Sequence, residues 1–272
     1  MPDFETMANS ESSPPLRGNG RITTELSPSA REEVVRMYYQ TTAERGHNQS
    51  LDHYRRAADG LKLRLRLWLP TDRAARCLDL ATGCGELIYL LEQEGYQHIQ
   101  GVDLCDEELH CARAYVKSEL VTADVLEYLK RCEPRSVDFV TALNFLEHLS
   151  KDVLLATLKE IGRVLRPGGT LVAMVPNAIS PFGGLTRHWD ITHEWAFTPN
   201  NFQQLASLAN LDSCVEVREC GPVVHGLVSG VRYLLWQVIR AGIAGWFLVE
   251  VADTKGGVYT MDMLVRLHAS RQ

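Results

Sequence analysis

The 272-residue chain predicts an α/β protein: an open, doubly wound and mostly parallel sheet of seven strands, with an N-terminal helical lid and a C-terminal apolar insertion. Three observations carry this expectation. From Arg76 onward, short apolar runs alternate with helical stretches, the pattern of βαβ units whose sheet is covered on both faces. The first run leads into a glycine-rich turn, ATGCGE, that opens a helix. The second ends in Asp103, 18 residues after Gly85, where a carboxylate in such a sheet can accept the hydroxyls of a ribose.

The elements follow in order. Residues 1–28, rich in Ser, Pro, Gly and Asn, read as a disordered leader and lack the charged start and apolar run of a secretory signal. Residues 29–70 form the expected lid. Val34, Val35, Tyr38 and Tyr39 have helical spacing behind Ser27-Pro28-Ser29, and a second helix is expected from about 50 to 68, stopped by Pro70. The remaining domain, 71–272, should hold strands at 76–81, 99–103, 120–122, 137–143, 169–175, 214–219 and 258–267. Helices are expected at 86–94, 106–116, 125–131, 151–165 and 200–208. The long last strand, after an irregular insertion at 223–251, suggests a β-hairpin at the C-terminal edge.

Composition narrows the partners. With 28 Lys+Arg against 34 Asp+Glu the net charge is −6, and no basic run is present, so no nucleic-acid partner is expected. Lys62, Arg64 and Arg66 alternate with leucine and read as a solvated face. Seven cysteines, an odd number without a C-x-x-C pair, point to reduced thiols and a cytoplasmic location. The apolar segment 223–251 carries His225, Arg232, Arg240 and Glu250, so no transmembrane segment is expected. It reads as a core or lid helix, or else as an acceptor pocket, a membrane-surface contact or the face of a homodimer.

Gly83, Gly85 and Asp103 together indicate a nucleoside-containing cofactor. Glu86 opens the helix where a dinucleotide's pyrophosphate would sit, and its charge suits a cation instead. Asp79-x-Ala81-x-Gly83-x-Gly85, Asp103, Thr122-Ala123-Asp124-Val125, Asp138 to Leu143, Leu146-Glu147-His148-Leu149 and Leu165 to Leu171 resemble, in order and spacing, the class I S-adenosylmethionine-dependent methyltransferases. The likeness covers about 76–175 and implies a Rossmann-like methyltransferase fold with S-adenosyl-L-methionine as cofactor. Under it, Asp79 and Ala81 belong to the binding turn, and Gly83 and Gly85 flank the methionine and ribose. Asp103, followed by Leu104, holds the ribose hydroxyls, Asp124 and Val125 lie at the adenine, and Asn144 lies near the sulfonium. Ala81 stands where the family has its first glycine.

The acceptor side is carried by Asn144-Phe145-Leu146-Glu147-His148, Pro176-Asn177, and the loop Arg187 to Trp195 with His188, Trp189 and His193. The catalytic candidates are His148, Glu147 and His193, and three roles stay open. His148 can act as a base oriented by a carboxylate, or cap the following helix. Alternatively, Glu147, His148 and His193 can bind a divalent metal, magnesium among the candidates, that acidifies a hydroxyl. The E-H pair with its later histidine is similar to small-RNA terminal 2′-O-methyltransferases and to quinone-ring O-methyltransferases, with Asn144 in place of the former's first glutamate. The run Val224 to Thr260 resembles the end of polysaccharide and natural-product sugar O-methyltransferases and implies a glycan or other small-molecule acceptor. A phenolic, quinone or amine acceptor, or a cofactor-binding scaffold without turnover, are the alternatives.

Overall fold

The computed structural model describes residue 37 and residues 50–270 except 213. The expected leader and the helix bearing Tyr38 and Tyr39 lie outside the described residues. The chain then runs α1 (Leu51–Leu65), β1 (Arg76–Leu80), α2 (Glu86–Gln93), β2 (His98–Asp103), α3 (Asp106–Ala112), β3 (Glu119–Thr122), α4 (Val125–Arg131) and β4 (Val137–Leu143). A 3-10 turn, Leu146–His148, leads to α5 (Lys151–Val164), β5 (Leu165–Pro176), α6 (Gly183–His188), α7 (Pro199–Leu208), β6 (Glu216–Glu219), α8 (Leu227–Val251) and β7 (Asp262–His268).

The seven strands form one sheet in the order β3-β2-β1-β4-β5-β7-β6. The first five are parallel, and β7 runs antiparallel to both neighbours. The strand order reverses between β1 and β4, which opens a crevice at their carboxyl ends, the place where such sheets bind ligands. The expected hairpin pairs as predicted, but its last strand is not at the edge. Met263, Leu264, Val265 and Leu267 are all buried, so β7 must be covered on both faces and both sides, whereas β6 (EVRE) is half-buried and takes the edge.

One core, with Leu80, Val140, Leu158 and Val265, fills one layer of the fold. In a second, Tyr54, Ala58, Leu65 and Trp68 of the α1 region pack against Leu87, Ile88, Leu91 and Phe139. The described part of the expected lid therefore shares a core with α2. Helix α1 ends at Leu65, earlier than Pro70 suggests, because Leu67 adopts a left-handed φ of 66° that turns the chain and buries Trp68. Similarly, α3 stops at Ala112.

The largest departure lies in the insertion. It is not irregular but a continuous 25-residue helix, α8, and it is no core helix, since Ser229 is its one buried residue. By length and composition α8 could cross a membrane, contrary to the expectation drawn from its charges. Topology argues against a span instead. The chain doubles back along α8, with Gly257 O accepting from Arg240, and pairs Met263 with Glu219 just before the helix. Both ends of the excursion thus return to adjacent strands. Arg64 and Arg66, expected on a solvated face, line a cavity beside α8, while Lys62 pairs with Glu94 at 2.6 Å. Of the cysteines, Cys77, Cys84 and Cys105 are buried and Cys214 is exposed; all seven are free thiols.

Candidate active site

The turn after β1 is held by two carboxylates. Asp79 is buried and accepts from the Thr82 and Thr141 hydroxyls, each at 2.6 Å, which locks β1 to β4 at the head of the turn. Burial pushes its carboxyl up to about 6 despite those bonds. Asp103 accepts from the Gly83 and Cys105 amides, both at 2.8 Å, so the end of β2 clasps the glycine turn. Burial again pushes it up to about 6, against the pull of the amide bonds. A carboxylate has about four acceptor sites, leaving Asp103 capacity for further donors.

Ala81 and Gly83 both have positive φ, 53° and 54°. A Cβ on Gly83 would lie 3.0 Å from a Glu108 carboxylate oxygen, and one on Gly85 would lie 3.1 Å from Ala112. The glycines therefore let α3 close over the turn as well as shaping it. Ala81 sustains a conformation that costs an L-residue roughly 1 to 2 kcal/mol. Ala81→Gly is expected to raise stability by up to ~1 kcal/mol, because glycine's extra chain entropy offsets part of the relief. Urea unfolding measures this, and a lower midpoint would show that the alanine methyl contributes packing.

Helix α1 is fastened across this turn. Tyr54 donates to Cys84 O at 2.6 Å, His53 Nε2 lies 3.1 Å from Glu86, and Tyr54 stacks on Tyr115 at 4.3 Å. Arg56 instead points to solvent and pairs with Asp52 at 2.7 Å. Asp79, Glu86, Asp103 and Glu108 give the crevice a concentration of carboxyl groups. Such a site fits a cationic nucleoside bearing sulfonium and ammonium groups and repels a pyrophosphate. The remaining cofactor candidates are placed unequally. Leu104 is 49% exposed beyond Asp103, and Asn144, with φ 54°, is exposed at the end of β4. Asp124 caps α4 by accepting from Glu127 N at 3.0 Å, and Val125 is buried in the core.

The acceptor-side candidates are brought together. The Glu147 carbonyl accepts from the amides of Glu194 (2.7 Å) and Trp195 (3.3 Å), and Trp195 Nε1 donates to Leu149 O at 2.9 Å. These bonds stitch the loop after α6 to the 3-10 turn and bring His193 to His148, with ring centroids 4.8 Å apart. Ligand atoms of Glu147, His148 and His193 all lie within 4.8 Å of one another. The Glu147 carboxyl is buried, its Oε2 has no hydrogen-bond partner among the described residues, and burial pushes the carboxyl up to about 8.

Both imidazoles are oriented through Nδ1. His193 Nδ1 lies 2.8 Å from the Thr186 carbonyl, which can only accept, so this nitrogen donates. His148 Nδ1 lies 2.7 Å from the Thr192 hydroxyl, whose own hydrogen goes to Asp190 Oδ1 at 2.6 Å. Burial tends to raise Asp190, but the bonds from Thr192 outweigh it and hold the carboxyl below its ordinary value; it therefore accepts, and His148 Nδ1 donates. On each ring, in its neutral form, the lone pair then falls on Nε2. Burial, reinforced by His193, lowers His148 to about 4 and keeps it neutral at physiological pH.

The Asp190–Thr192–His148 chain was not read from the sequence, although its D-x-T turn was visible there; its partner stands 44 positions away. Asn177, read as part of the acceptor side, is a fully buried clamp that donates to Val258 O and Thr260 O at 2.9 Å. Phe182, Leu185, Trp189 and Ile191 are exposed in the segment that also carries Thr186 and Thr192, the partners of the two histidines. Trp189 and His188 are exposed, and Trp195 is half-buried.

A doubly wound sheet of this order, with an acidic glycine turn at its switch point, defines the class of S-adenosylmethionine-dependent methyltransferases of class I. Residues 51–216, more than half of the chain, match the family described as a methyltransferase domain, and the protein belongs to that family. A solved methyltransferase of Archaeoglobus fulgidus superposes with TM-score 0.57 at 20% identity over 78% of this chain and 94% of that one. The phosphoethanolamine N-methyltransferase 2 of Haemonchus contortus, solved with S-adenosyl-L-methionine, superposes with TM-score 0.52 at 18% identity over 79% and 52%.

Two curated relatives are ubiquinone biosynthesis O-methyltransferases. That of Neisseria meningitidis is 28% identical over 103 residues, 36% of this chain and 42% of the relative. That of Idiomarina loihiensis is 32% identical over 100 residues, 35% and 40% of the two chains. The matched stretch thus spans about two fifths of each relative's length.

Proposed function

We propose that the protein transfers a methyl group from S-adenosylmethionine to a hydroxyl on a ring-bearing, partly apolar small molecule. The observation that carries this is the cluster of buried Glu147 with half-buried His148 and His193 beside the carboxyl end of β4, next to an acidic glycine turn. When bound, the cofactor supplies an electrophilic methyl group. Asp103 would hold its ribose hydroxyls, Leu104 would offer an apolar face to the base, and Asn144 would stand near the sulfonium. Neutral His148, oriented through Thr192, would accept the proton of the acceptor hydroxyl, and the exposed apolar side chains of that segment would exclude water from the ring.

The quinone-ring acceptor is favoured over the sugar implied by the C-terminal resemblance, because the curated relatives are named for O-methylation in ubiquinone biosynthesis and those exposed side chains are apolar. A glycan would call for hydrogen-bonding side chains where Phe182, Leu185 and Ile191 stand.

A metal-assisted variant has its own support in the unpartnered Glu147 Oε2. Two imidazoles and one carboxylate suit zinc, iron or nickel better than magnesium, which favours all-oxygen ligation. Donors about 2.1 Å from a tetrahedral ion stand ~3.4 Å apart, so groups up to 4.8 Å apart would have to close by about 1.4 Å through side-chain rotation. Glu147, His148 and His193 would hold the ion, and its charge would acidify the acceptor hydroxyl.

Calorimetric titration with S-adenosylmethionine and its demethylated product, before and after chelation, tests the reading. Micromolar binding, with the product at least as tight, is expected. Binding of zinc that His193→Ala abolishes would establish the metal variant, and turnover unchanged by chelation would leave His148 as base. Failure to bind either nucleoside would remove the methyltransferase function.

A further inference from the structure

Helix α8 is amphipathic in the reverse sense. Its face toward the protein carries the polar anchors: Trp236 Nε1 donates to Glu219 at 3.1 Å, and Arg240 lies 3.3 Å from the same carboxylate and donates to Gly257 O at 2.8 Å. Phe247 completes this face by stacking on Tyr259. At about 3.6 residues per turn, the opposite half of the helix from Leu227 to Val249 contains only apolar side chains, alanine and glycine. Val228, Val231, Leu235, Val238, Trp246 and Val249 are between 56% and 90% exposed, and among the described residues none covers them. Arg232 and Glu250 sit at the margin of this arc.

Beside the N-terminal half of α8 lies a cavity of about 400 Å3 lined by Arg64, Arg66, Arg218 and Arg240, with Leu67 at its rim. Among the described residues Glu219 is the one acid in the lining, and it is already engaged by Trp236 and Arg240. Arg218 lies over the Trp68 ring at 4.1 Å, and Arg64 Nε is buried without a hydrogen-bond partner among the described residues. Leu67, 84% exposed on its left-handed turn, adds an apolar side chain beside the arginines. In a chain of net charge −6, four guanidinium groups beside a bare apolar helix are a local inversion of the surface.

We propose that α8 lies flat in the interface of an anionic phospholipid bilayer, its outward arc in the acyl region and a lipid phosphate in the arginine cavity. The helix is about 37 Å long at 1.5 Å per residue, and its protein-facing side remains bonded to β6 and the loop before β7. It therefore lies on the membrane and does not span it. Three features favour a bilayer over a second copy of the chain. A partner helix covers a narrow seam of about two positions in seven, whereas this apolar arc takes half the circumference. The neighbouring cavity calls for an anion, and a second copy brings the same basic cavity. Leu67, off the helix, exposes a further apolar side chain at that cavity. The inference does not depend on the identity of the methyl acceptor.

The test is vesicle co-flotation of the full chain with phosphatidylcholine alone and with phosphatidylglycerol mixed in. Binding is expected to the mixed vesicles, to weaken as salt is raised, and to be weak on phosphatidylcholine. Arg64→Gln with Arg66→Gln should lower partitioning by about 30-fold, roughly fivefold per arginine. Val238→Asp, and separately Val231→Asp, should abolish it while S-adenosylmethionine binding, measured by calorimetry, stays intact as a check on folding. Equal binding to both vesicle types would overturn the phosphate site. Absence of binding, or a dimer in light scattering that Val238→Asp converts to monomer without altering flotation, would overturn the membrane assignment.

Discussion

Asp103→Ala is expected to raise the Kd for S-adenosylmethionine roughly 10- to 150-fold, the equivalent of about 1.5 to 3 kcal/mol for hydrogen bonds to a charged group. The loss has two sources. The carboxylate would no longer meet the ribose, and the Gly83 amide, which donates to it at 2.8 Å, would lose the contact that fixes the turn. Asp103→Asn keeps one acceptor oxygen and removes the charge, so it should fall between wild type and alanine. An unchanged Kd in both variants would remove Asp103 from the site.

The same carboxyl sets a pH dependence. Burial raises it from 3.8 to about 6, so the folded protein holds this proton more tightly than the unfolded chain. Its contribution to the stability of the ligand-free protein is greatest below pH 3.8 and falls as pH rises through about 6. Binding of a cationic nucleoside that requires the ionised form has the opposite sign. Affinity should be constant above about 6 and fall by up to about tenfold per pH unit below it. Asp103→Asn should flatten that limb, and titrations across this range read both results.

His148→Ala is the second large effect. Turnover should drop by ~10² to 10⁴, the usual contribution of a positioned general base, while the cofactor Kd changes less than about twofold. The split follows from geometry. His148 is bonded to Thr192 and stacked edge-on against His193, whereas the cofactor turn is held by Asp79, Thr82 and Asp103. A loss of cofactor affinity equal to the loss of turnover would instead make His148 part of the binding turn. Full activity would make it a residue that only braces the loop.

Much of this site could be read along the chain. The βαβ pattern places a glycine turn after β1 and an acid after β2 because both are local: a strand of apolar residues, a turn that only small residues tolerate, and a helix start. Both Asp103 and the Glu147–His148 pair stand where that reading puts them, at strand ends. Ala81 was legible as a departure, and its left-handed φ is the physical cost of it. Roles that depend on distant partners were not legible. Asp79 accepts from Thr141 across 62 positions, and Val125 packs into the core, because such partners are set by packing and not by neighbours in sequence.

The sequence by itself determined the α/β class, the number of strands, the acidic glycine turn and the residue types after β4, since each follows from periodicity and turn chemistry within a few dozen residues. Tertiary structure decided the rest. It inserted β7 between β5 and β6, because a strand apolar on both faces gains most from full burial. It joined His148 to His193 across 45 positions through amide bonds to one carbonyl. It also turned Arg240 and Trp236 of α8 toward Glu219, leaving the apolar half outward, an orientation that composition alone leaves open because the same helix could have buried either face.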